Sequence, residues 1–384
     1  MRRILKKLIG VVVVLIITLA MFEVALRLST TKRGHIAYFM NKDWNYLVPF
    51  DVPQSFPSVI PTKGAYRVYD PRLGWTIGKS GIDGNLYYSD ANGHRCSRQT
   101  YFDSANQVTQ HLNAKEYDIV CIGDSFTHGD EVQYEQTWPH YLSEQTGKTV
   151  LNLGVGGYGV DQAFLRYQYE KVKCKVVVLG LISGDLERAT TQVYNLTVGG
   201  LKTKPMFVFQ ENGIVIANSP AIYGDALKAE FQRGAESDFF KREMAYYPEI
   251  VRAEFLDFLY SYRIIKSIRN WKRNRTPIYL RDDENLGYCV EILKYIDLSV
   301  KENGADFVVA ILDNSNSLQD RKKDRDAWRL LKAHLAKNGI KYIDCTKEID
   351  ELYDQDPNRV INRSGVHYTP EANLLIAKTL TKGL

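Results

Sequence analysis

Gly123-Asp124-Ser125 closes the apolar run from Tyr117 to Ile122 and so delivers a serine off a buried strand into a turn. Far downstream, Ser364-Gly365-Val366-His367-Tyr368-Thr369-Pro370 sets a histidine just ahead of a helix start, with Thr369 as N-cap, Pro370 at the first helical position and Glu371 in the first turn. A serine hydroxyl is a weak nucleophile until a neighbouring base takes its proton, so Ser125 with His367 is the chemistry of attack on an acyl ester through an acyl-serine. A serine placed where a strand yields to a helix can also aim its own N–H at the oxygen on which negative charge develops. Serine caps helices routinely, and the segment lacks the second glycine of G-x-S-x-G, so the triplet alone is a weak signal and the strained elbow of that motif is not expected.

A second piece is Asn152-Leu153-Gly154-Val155-Gly156-Gly157-Tyr158-Gly159, where four glycines follow a strand and let backbone approach a ligand. The Gly157 N–H is a candidate second oxyanion donor; the plainer reading is a tight turn. The G-x-G-x-x-G register is absent, so no nucleotide cofactor is expected. His128, three residues after Ser125, competes for the role of base, but a base so close in sequence points away, and it reads as a pocket-lining or surface residue. Asp185 and Asp313 read as solvated loop carboxylates. The histidines and carboxylates show no ligand spacing, and no metal is expected.

From Lys115 onward, apolar strands alternate with amphipathic helices, the pattern of a parallel sheet covered on both faces. Strands are expected at Tyr117 to Ile122, Thr149 to Leu153, Lys175 to Leu181, Phe307 to Leu312 and Lys341 to Ile343, with helices beginning near Thr137 and around Trp328, Leu331 and Leu335. That is an α/β doubly wound sandwich. An insertion separates the third and fourth strands: Phe207 to Ile216 reads as a hairpin turning at Asn212-Gly213, and Ala221 to Trp271 as helical, a packing subdomain or a cap. The expected organisation is a membrane anchor at 1–30, an irregular Pro-, Gly- and Tyr-rich extension at 31–110, the first half of the α/β domain at 111–200, the insertion at 201–290 and the second half at 291–384.

The chain has 384 residues, 45% hydrophobic, and its net charge of +5 comes from 50 basic residues scattered among 45 acidic ones. It is long enough for a sizeable core, and no basic stripe interleaved with stacking aromatics points to nucleic acid. The five cysteines are widely spread, with no metal spacing or disulfide framework; Cys121 and Cys174 belong with the core strands. Arg2, Arg3, Lys6 and Lys7 precede a charge-free apolar run from Leu8 to Phe22, extended by Val24, Ala25, Leu26 and Leu28, with Glu23 and Arg27 spaced to pair at i,i+4. With no small-x-small cleavage site, a signal anchor fits better than a cleaved signal peptide, and the leading basic residues favour export of the body.

The Gly-Asp-Ser block at Gly123 to Ser125, the Asn-x-Gly-x-x-Gly block at Asn152 to Gly157 and the Gly-Val-His-Tyr-Thr block at Gly365 to Thr369 stand in the order of the SGNH/GDSL hydrolase superfamily, which the chain resembles from about Tyr117 to its end. The anchor, the Leu73-Gly74-Trp75 element and Asn92-Gly93-His94-Arg95 are similar to its membrane-anchored, exported branch. The resemblance implies a flavodoxin-like three-layer α/β/α domain, Ser125 as nucleophile, His367 as base, and Ser125 N–H and Gly157 N–H as oxyanion donors. Two positions depart from the family pattern. Gly184 stands where an asparagine supplies a further oxyanion donor, and Ser364 where an aspartate orients the histidine. Losing such a donor costs about 3 to 4 kcal/mol in the transition state, and losing the orienting acid costs up to ~10⁴ in rate. Ser364 Oγ or a backbone carbonyl is the substitute orienter and Ser183 the substitute donor.

Two functions follow. In one, the chain is a serine esterase acting on an acyl ester of a carbohydrate or cell-surface glycan, or an O-acyltransferase if a polysaccharide hydroxyl rather than water resolves the acyl-serine. In the other, Gly184 and Ser364 mark a catalytically degenerate relative that binds a glycan or protein.

Overall fold

The computed structural model describes residues 2–42, 45–52, 65–105, 116–194, 201–211, 213–244, 250–324 and 326–384. Their contacts gather into two compact units: Met1–Phe56, Asn195–Leu201 and Tyr223–Thr276 form the smaller, and Pro57–Tyr194, Lys202–Ile222 and Pro277–Leu384 the larger.

The larger unit is built on five strands, β1 (Glu116–Gly123), β2 (Val150–Asn152), β3 (Lys173–Leu181), β4 (Asp306–Ile311) and β5 (Lys341–Asp344). All neighbours pair in parallel in the spatial order 2-1-3-4-5, which is the doubly wound sandwich expected from the alternation of strands and helices and the flavodoxin-like form that the resemblance implies. Side chains alternate across each strand and so feed two cores. Val120, Ile122, Val177, Leu179 and Val309 pack with the Val160–Glu170 and Glu284–Glu302 helices, while Ile119, Cys121, Val178 and Ala310 pack with the Trp138–Thr146 and Pro370–Gly383 helices. In this strand order the chain reverses its winding between β1 and β3, and the carboxyl ends of those strands open the crevice where such sheets bind ligands.

The Pro-, Gly- and Tyr-rich stretch ahead of β1 supplies short antiparallel strands, Arg67–Asp70 with Gly74–Ile77 and Ile82–Asp83 with Tyr87–Ser89 and Arg95–Cys96. Trp75 is buried there and braces the glycine turn after β2: its Nε1 donates to Gly156 O at 3.0 Å, and the Tyr158 hydroxyl donates back to Trp75 O at 2.6 Å. The insertion forms its hairpin from Met206–Gln210 and Gly213–Ala217, while Asn212 lies outside the described residues. Just before the hairpin, Lys204 Nζ reaches Asp161 Oδ2 at 2.5 Å with both side chains sealed from water.

In the smaller unit, Arg2–Leu28 is one helix, long and apolar enough to cross a membrane. Glu23 and Arg27 do not pair with each other, contrary to the i,i+4 expectation. Glu23 instead accepts from the backbone N–H groups of Tyr260 and Ser261, at 2.7 and 3.1 Å, and so caps the Tyr260–Asn274 helix, while Arg27 Nη2 donates to Phe258 O at 2.8 Å. A carboxylate that meets free N–H groups at a helix start gains more than one solvated beside an arginine. The stretch from Ala221 to Trp271 is helical in large part, as expected, in Gly224–Arg233, Asp238–Lys241 and the start of Tyr260–Asn274.

Candidate active site

Four loops meet at the carboxyl edge of the sheet. After β1, Asp124 caps the short Ser125–His128 helix by accepting from Phe126 N–H at 2.8 Å, which leaves Ser125 N–H without a protein partner among the described residues. After β2, Asn152 ties the glycine turn to that helix: its Nδ2 donates to Thr127 O at 2.8 Å and its Oδ1 accepts from Gly154 N–H at 2.9 Å. Gly154 is required by this approach, because a Cβ there would lie 2.2 Å from His128 N. No partner among the described residues takes the Gly157 N–H, so two open donors stand at Ser125 and Gly157.

His367 reaches the same place from the other end of the chain. Its ring packs on Phe126, with centroids 5.0 Å apart, and Phe126 in turn meets Tyr368 edge to face at 4.8 Å. The Tyr368 hydroxyl donates to Asp313 O and so pins this loop to the end of β4. His367 therefore packs on the residue that follows Ser125, while Ser125 Oγ is bonded to Asp124 Oδ2, at 3.4 Å, and not to the imidazole.

The group that orients His367 is one the sequence did not single out. His367 Nδ1 lies 2.7 Å from Glu131 Oε1, and the same carboxylate accepts from Val366 N–H at 3.1 Å and His367 N–H at 3.3 Å. A carboxylate can only accept there, so Nδ1 carries the proton and Nε2 is the free basic nitrogen. Burial pushes the Glu131 carboxyl up, but the bonds from His367 and Val366 prevail and hold it below the ordinary glutamate value. Glu131 sits in the left-handed region at φ 70°, where a non-glycine residue costs about 1 to 3 kcal/mol, and its N–H is held by the Tyr87 hydroxyl at 2.8 Å. Gly365 makes the contact possible, since a Cβ there would meet Glu131 Oε2 at 1.7 Å. Ser364 is exposed and makes no side-chain hydrogen bond among the described residues, so the orienting role falls to Glu131. Glu131 and His367 are 236 positions apart, and nothing local in His128-Gly129-Asp130-Glu131 marks the last residue as the partner.

After β3, Ser183 Oγ accepts from Asn314 Nδ2 at 3.1 Å, so it is already engaged. The space a side chain at Gly184 would take is filled by the Arg188 guanidinium, whose Nη2 stands 3.2 Å from the position of a Cβ. Arg188 Nη1 donates to Asp124 Oδ2 at 2.9 Å, Asp185 Oδ1 at 2.7 Å and Tyr158 O at 3.1 Å, while Nη2 keeps no partner among the described residues. Burial works against the charge on Arg188, but the Asp124 and Asp185 carboxylates hold its pKa above the ordinary arginine value. Ser125 Oγ and Arg188 thus share Asp124 Oδ2 as acceptor.

Three expectations are corrected by burial. His128 is no pocket or surface residue but a core hub. Its Nδ1 donates to Asp130, which Arg67 Nη2 also reaches at 3.3 Å, and its Nε2 lies 2.6 Å from the Tyr66 hydroxyl. Burial, with Arg95 nearby, pushes His128 down to about 4. Asp185 and Asp313 are sealed rather than solvated. Asp313 accepts from Trp328 Nε1 at 2.9 Å, and burial raises its pKa to about 6.

No family model matches the sequence, and no curated protein does. Among solved structures the chain is similar to one described as a lipolytic protein of the G-D-S-L family from Desulfitobacterium hafniense DCB-2, at 13% identity and TM-score 0.38 over 70% of this chain and 99% of that one. It is also similar to a member of the lipolytic protein G-D-S-L family from Veillonella parvula DSM 2008, at 14% identity and TM-score 0.36 over 69% and 96% of the two chains. A catalytic mutant of an acetylxylan esterase from Geobacillus stearothermophilus matches at 11% identity and TM-score 0.35 over 70% and 93%.

Proposed function

We propose that this chain is a serine hydrolase of acyl esters that works through an acyl-Ser125 intermediate. The observation that carries the reading is the His367–Glu131 pair at 2.7 Å, which restores an oriented base to a site whose sequence lacks the usual acid. For attack, Ser125 Oγ leaves Asp124 and passes its proton to His367 Nε2 as it bonds to the ester carbonyl carbon. The carbonyl oxygen takes the negative charge and faces the open N–H groups of Ser125 and Gly157, with Arg188 Nη2 as the third donor in place of the missing asparagine. As the tetrahedral intermediate collapses, the imidazolium returns its proton to the leaving alcohol and the acyl group stays on Ser125. Water, deprotonated by His367, then releases the acid; if a polysaccharide hydroxyl attacks instead, the acyl group is transferred.

The N-terminal helix is, in this reading, a membrane anchor that presents the larger unit on the exported side, and the ester is that of a glycan at the cell surface. The alternative of a degenerate binding protein is disfavoured by the open N–H groups of Ser125 and Gly157, which take no partner among the described residues. The test is to incubate the full chain with an acetylated oligosaccharide, alone and with an unacetylated acceptor, and follow acetate release and acetyl transfer by mass spectrometry. Release or transfer that depends on Ser125 supports the proposal. Tight binding of the oligosaccharide by a folded chain that neither releases nor transfers acetate supports the binding protein.

A further inference from the structure

The Tyr260–Asn274 helix is inverted with respect to an ordinary surface helix. Its inward residues are polar: Arg263 Nη2 donates to Pro49 O at 2.7 Å, Lys266 Nζ donates to Asp257 at 3.1 Å, and Ser267 Oγ accepts from Val48 N–H at 2.9 Å. Its outward side carries Ile265, Ile268 and Trp271, which are 50%, 48% and 42% exposed, interleaved with exposed Arg269 and Lys272. A helix on a water-facing surface does the reverse, turning its apolar stripe inward. Beside this face an apolar slot of about 400 Å³ opens between Phe39, Tyr46, Leu47, Ile264, Ile268 and Trp271.

The turn that precedes the helix continues the pattern. Phe255 is 88% exposed and Phe258 53%, with Leu256 also exposed. That turn is fastened to the foot of the N-terminal helix through Arg27 and Phe258 O, and the next residues through Glu23. Glu23 and Arg27 are the first charges after the apolar run from Leu8 to Phe22, so where that run crosses a bilayer they mark its boundary with water. Exposed aromatics held at that level, next to an apolar face edged with arginine and lysine, match what settles at the headgroup layer: rings at the interface and cations against anionic lipid.

We propose that the Phe255–Phe258 turn and the outward face of the Tyr260–Asn274 helix lie in the headgroup layer of the bilayer, a second contact that fixes the smaller unit against the membrane surface. The inference rests on the reading of the N-terminal helix as an anchor. It is tested on the full chain reconstituted in vesicles of phosphatidylcholine and phosphatidylglycerol, with nitroxide spin labels placed one at a time through Phe255→Cys, Ile268→Cys, Val13→Cys within the N-terminal helix and Val215→Cys on the exposed hairpin; the unsubstituted chain supplies the blank for its own cysteines. The collision rate with oxygen relative to a water-soluble nickel chelate is expected to be several-fold higher at positions 255 and 268 than at 215. Equal ratios at 255, 268 and 215 with a bilayer value at 13 overturn this contact and leave the anchor standing. A water value at 13 overturns the anchor and this contact with it. Quenching of Trp271 fluorescence by brominated lipid in the unsubstituted chain, with Trp271→Phe as reference, reads the same contact without cysteine variants: strong quenching supports it, and none overturns it.

Discussion

His367 Nδ1 and Glu131 Oε1 lie 2.7 Å apart although 236 positions separate them, and this one bond decides which imidazole nitrogen is free. Glu131→Gln is therefore expected to lower kcat on p-nitrophenyl acetate by about 10²- to 10⁴-fold with little change in KM, because the amide can present the wrong partner to Nδ1 and favour the wrong tautomer. Ser364→Ala is expected to stay within about twofold of the parent. The two variants measured side by side assign the orienting role: an inert Glu131→Gln with a damaged Ser364→Ala would contradict the assignment.

Gly365→Ala probes the same bond from the side of the loop. Its new Cβ would lie on the Glu131 carboxylate, at 1.7 Å in the present geometry, so the carboxylate must withdraw from the imidazole. The expected result is a kcat loss approaching that of Glu131→Gln in a protein whose circular dichroism spectrum is unchanged. Activity equal to the parent would show that Glu131 is dispensable.

Arg188 is predicted to matter twice. Arg188→Met removes the proposed third oxyanion donor, at a cost of about 10²- to 10³-fold in kcat. It also strands Asp124 and Asp185, whose side chains are almost fully buried, and one broken buried ion pair of this kind costs about 3 to 5 kcal/mol. Urea denaturation reads the second effect. Arg188→Lys separates them, since it keeps a charge near Asp124 but loses the fork, and it should recover more stability than rate.

Much of this site was legible in the sequence because its pieces sit at strand ends. Apolar runs ended at Ile122 and Leu181, a helix start was written in Thr369-Pro370-Glu371, and the doubly wound sandwich followed from the alternation of elements. What escaped was set by tertiary geometry. Glu131 has an ordinary neighbourhood in sequence and gains its role only because the loop around Gly365 folds over it. Burial escaped likewise: Asp313, just after the fourth strand and ahead of Asn314-Ser315, reads as solvated until Trp328 and Arg321 are seen to close on it. Glu23 and Arg27 have helical spacing for a mutual pair, yet each finds a backbone group on a distant segment.

The buried His128 makes stability depend on pH. It is neutral in the fold, with Tyr66 on Nε2 and Asp130 on Nδ1, and its pKa is pushed down to about 4, against about 6.5 for a histidine in the unfolded chain. Between those values the unfolded chain binds a proton that the folded chain refuses. Its contribution is therefore complete above about pH 6.5 and declines as pH falls towards 4, by up to about 1.4 kcal/mol per pH unit. Urea titrations from pH 7.5 to 4.5 should show this slope in the parent and a shallower one in His128→Gln. Parallel slopes would contradict the assignment of His128 as neutral.

Lys204 and Asp161 test the joint between the insertion and the Val160–Glu170 helix. Lys204→Met leaves a buried carboxylate unpaired and is expected to cost about 3 to 5 kcal/mol, whereas Lys204→Met combined with Asp161→Leu should regain most of it. Equal losses in the single and double variants would mean that packing rather than charge is at stake there.

The most direct test of the central claim is labelling of the full chain in detergent micelles by a fluorophosphonate, with the modified peptide located by mass spectrometry. The account predicts a single adduct on Ser125, absent in Ser125→Ala and strongly slowed in both His367→Ala and Glu131→Gln. A folded chain that takes no label at Ser125, or labels equally fast without His367, would contradict a working serine nucleophile at this site.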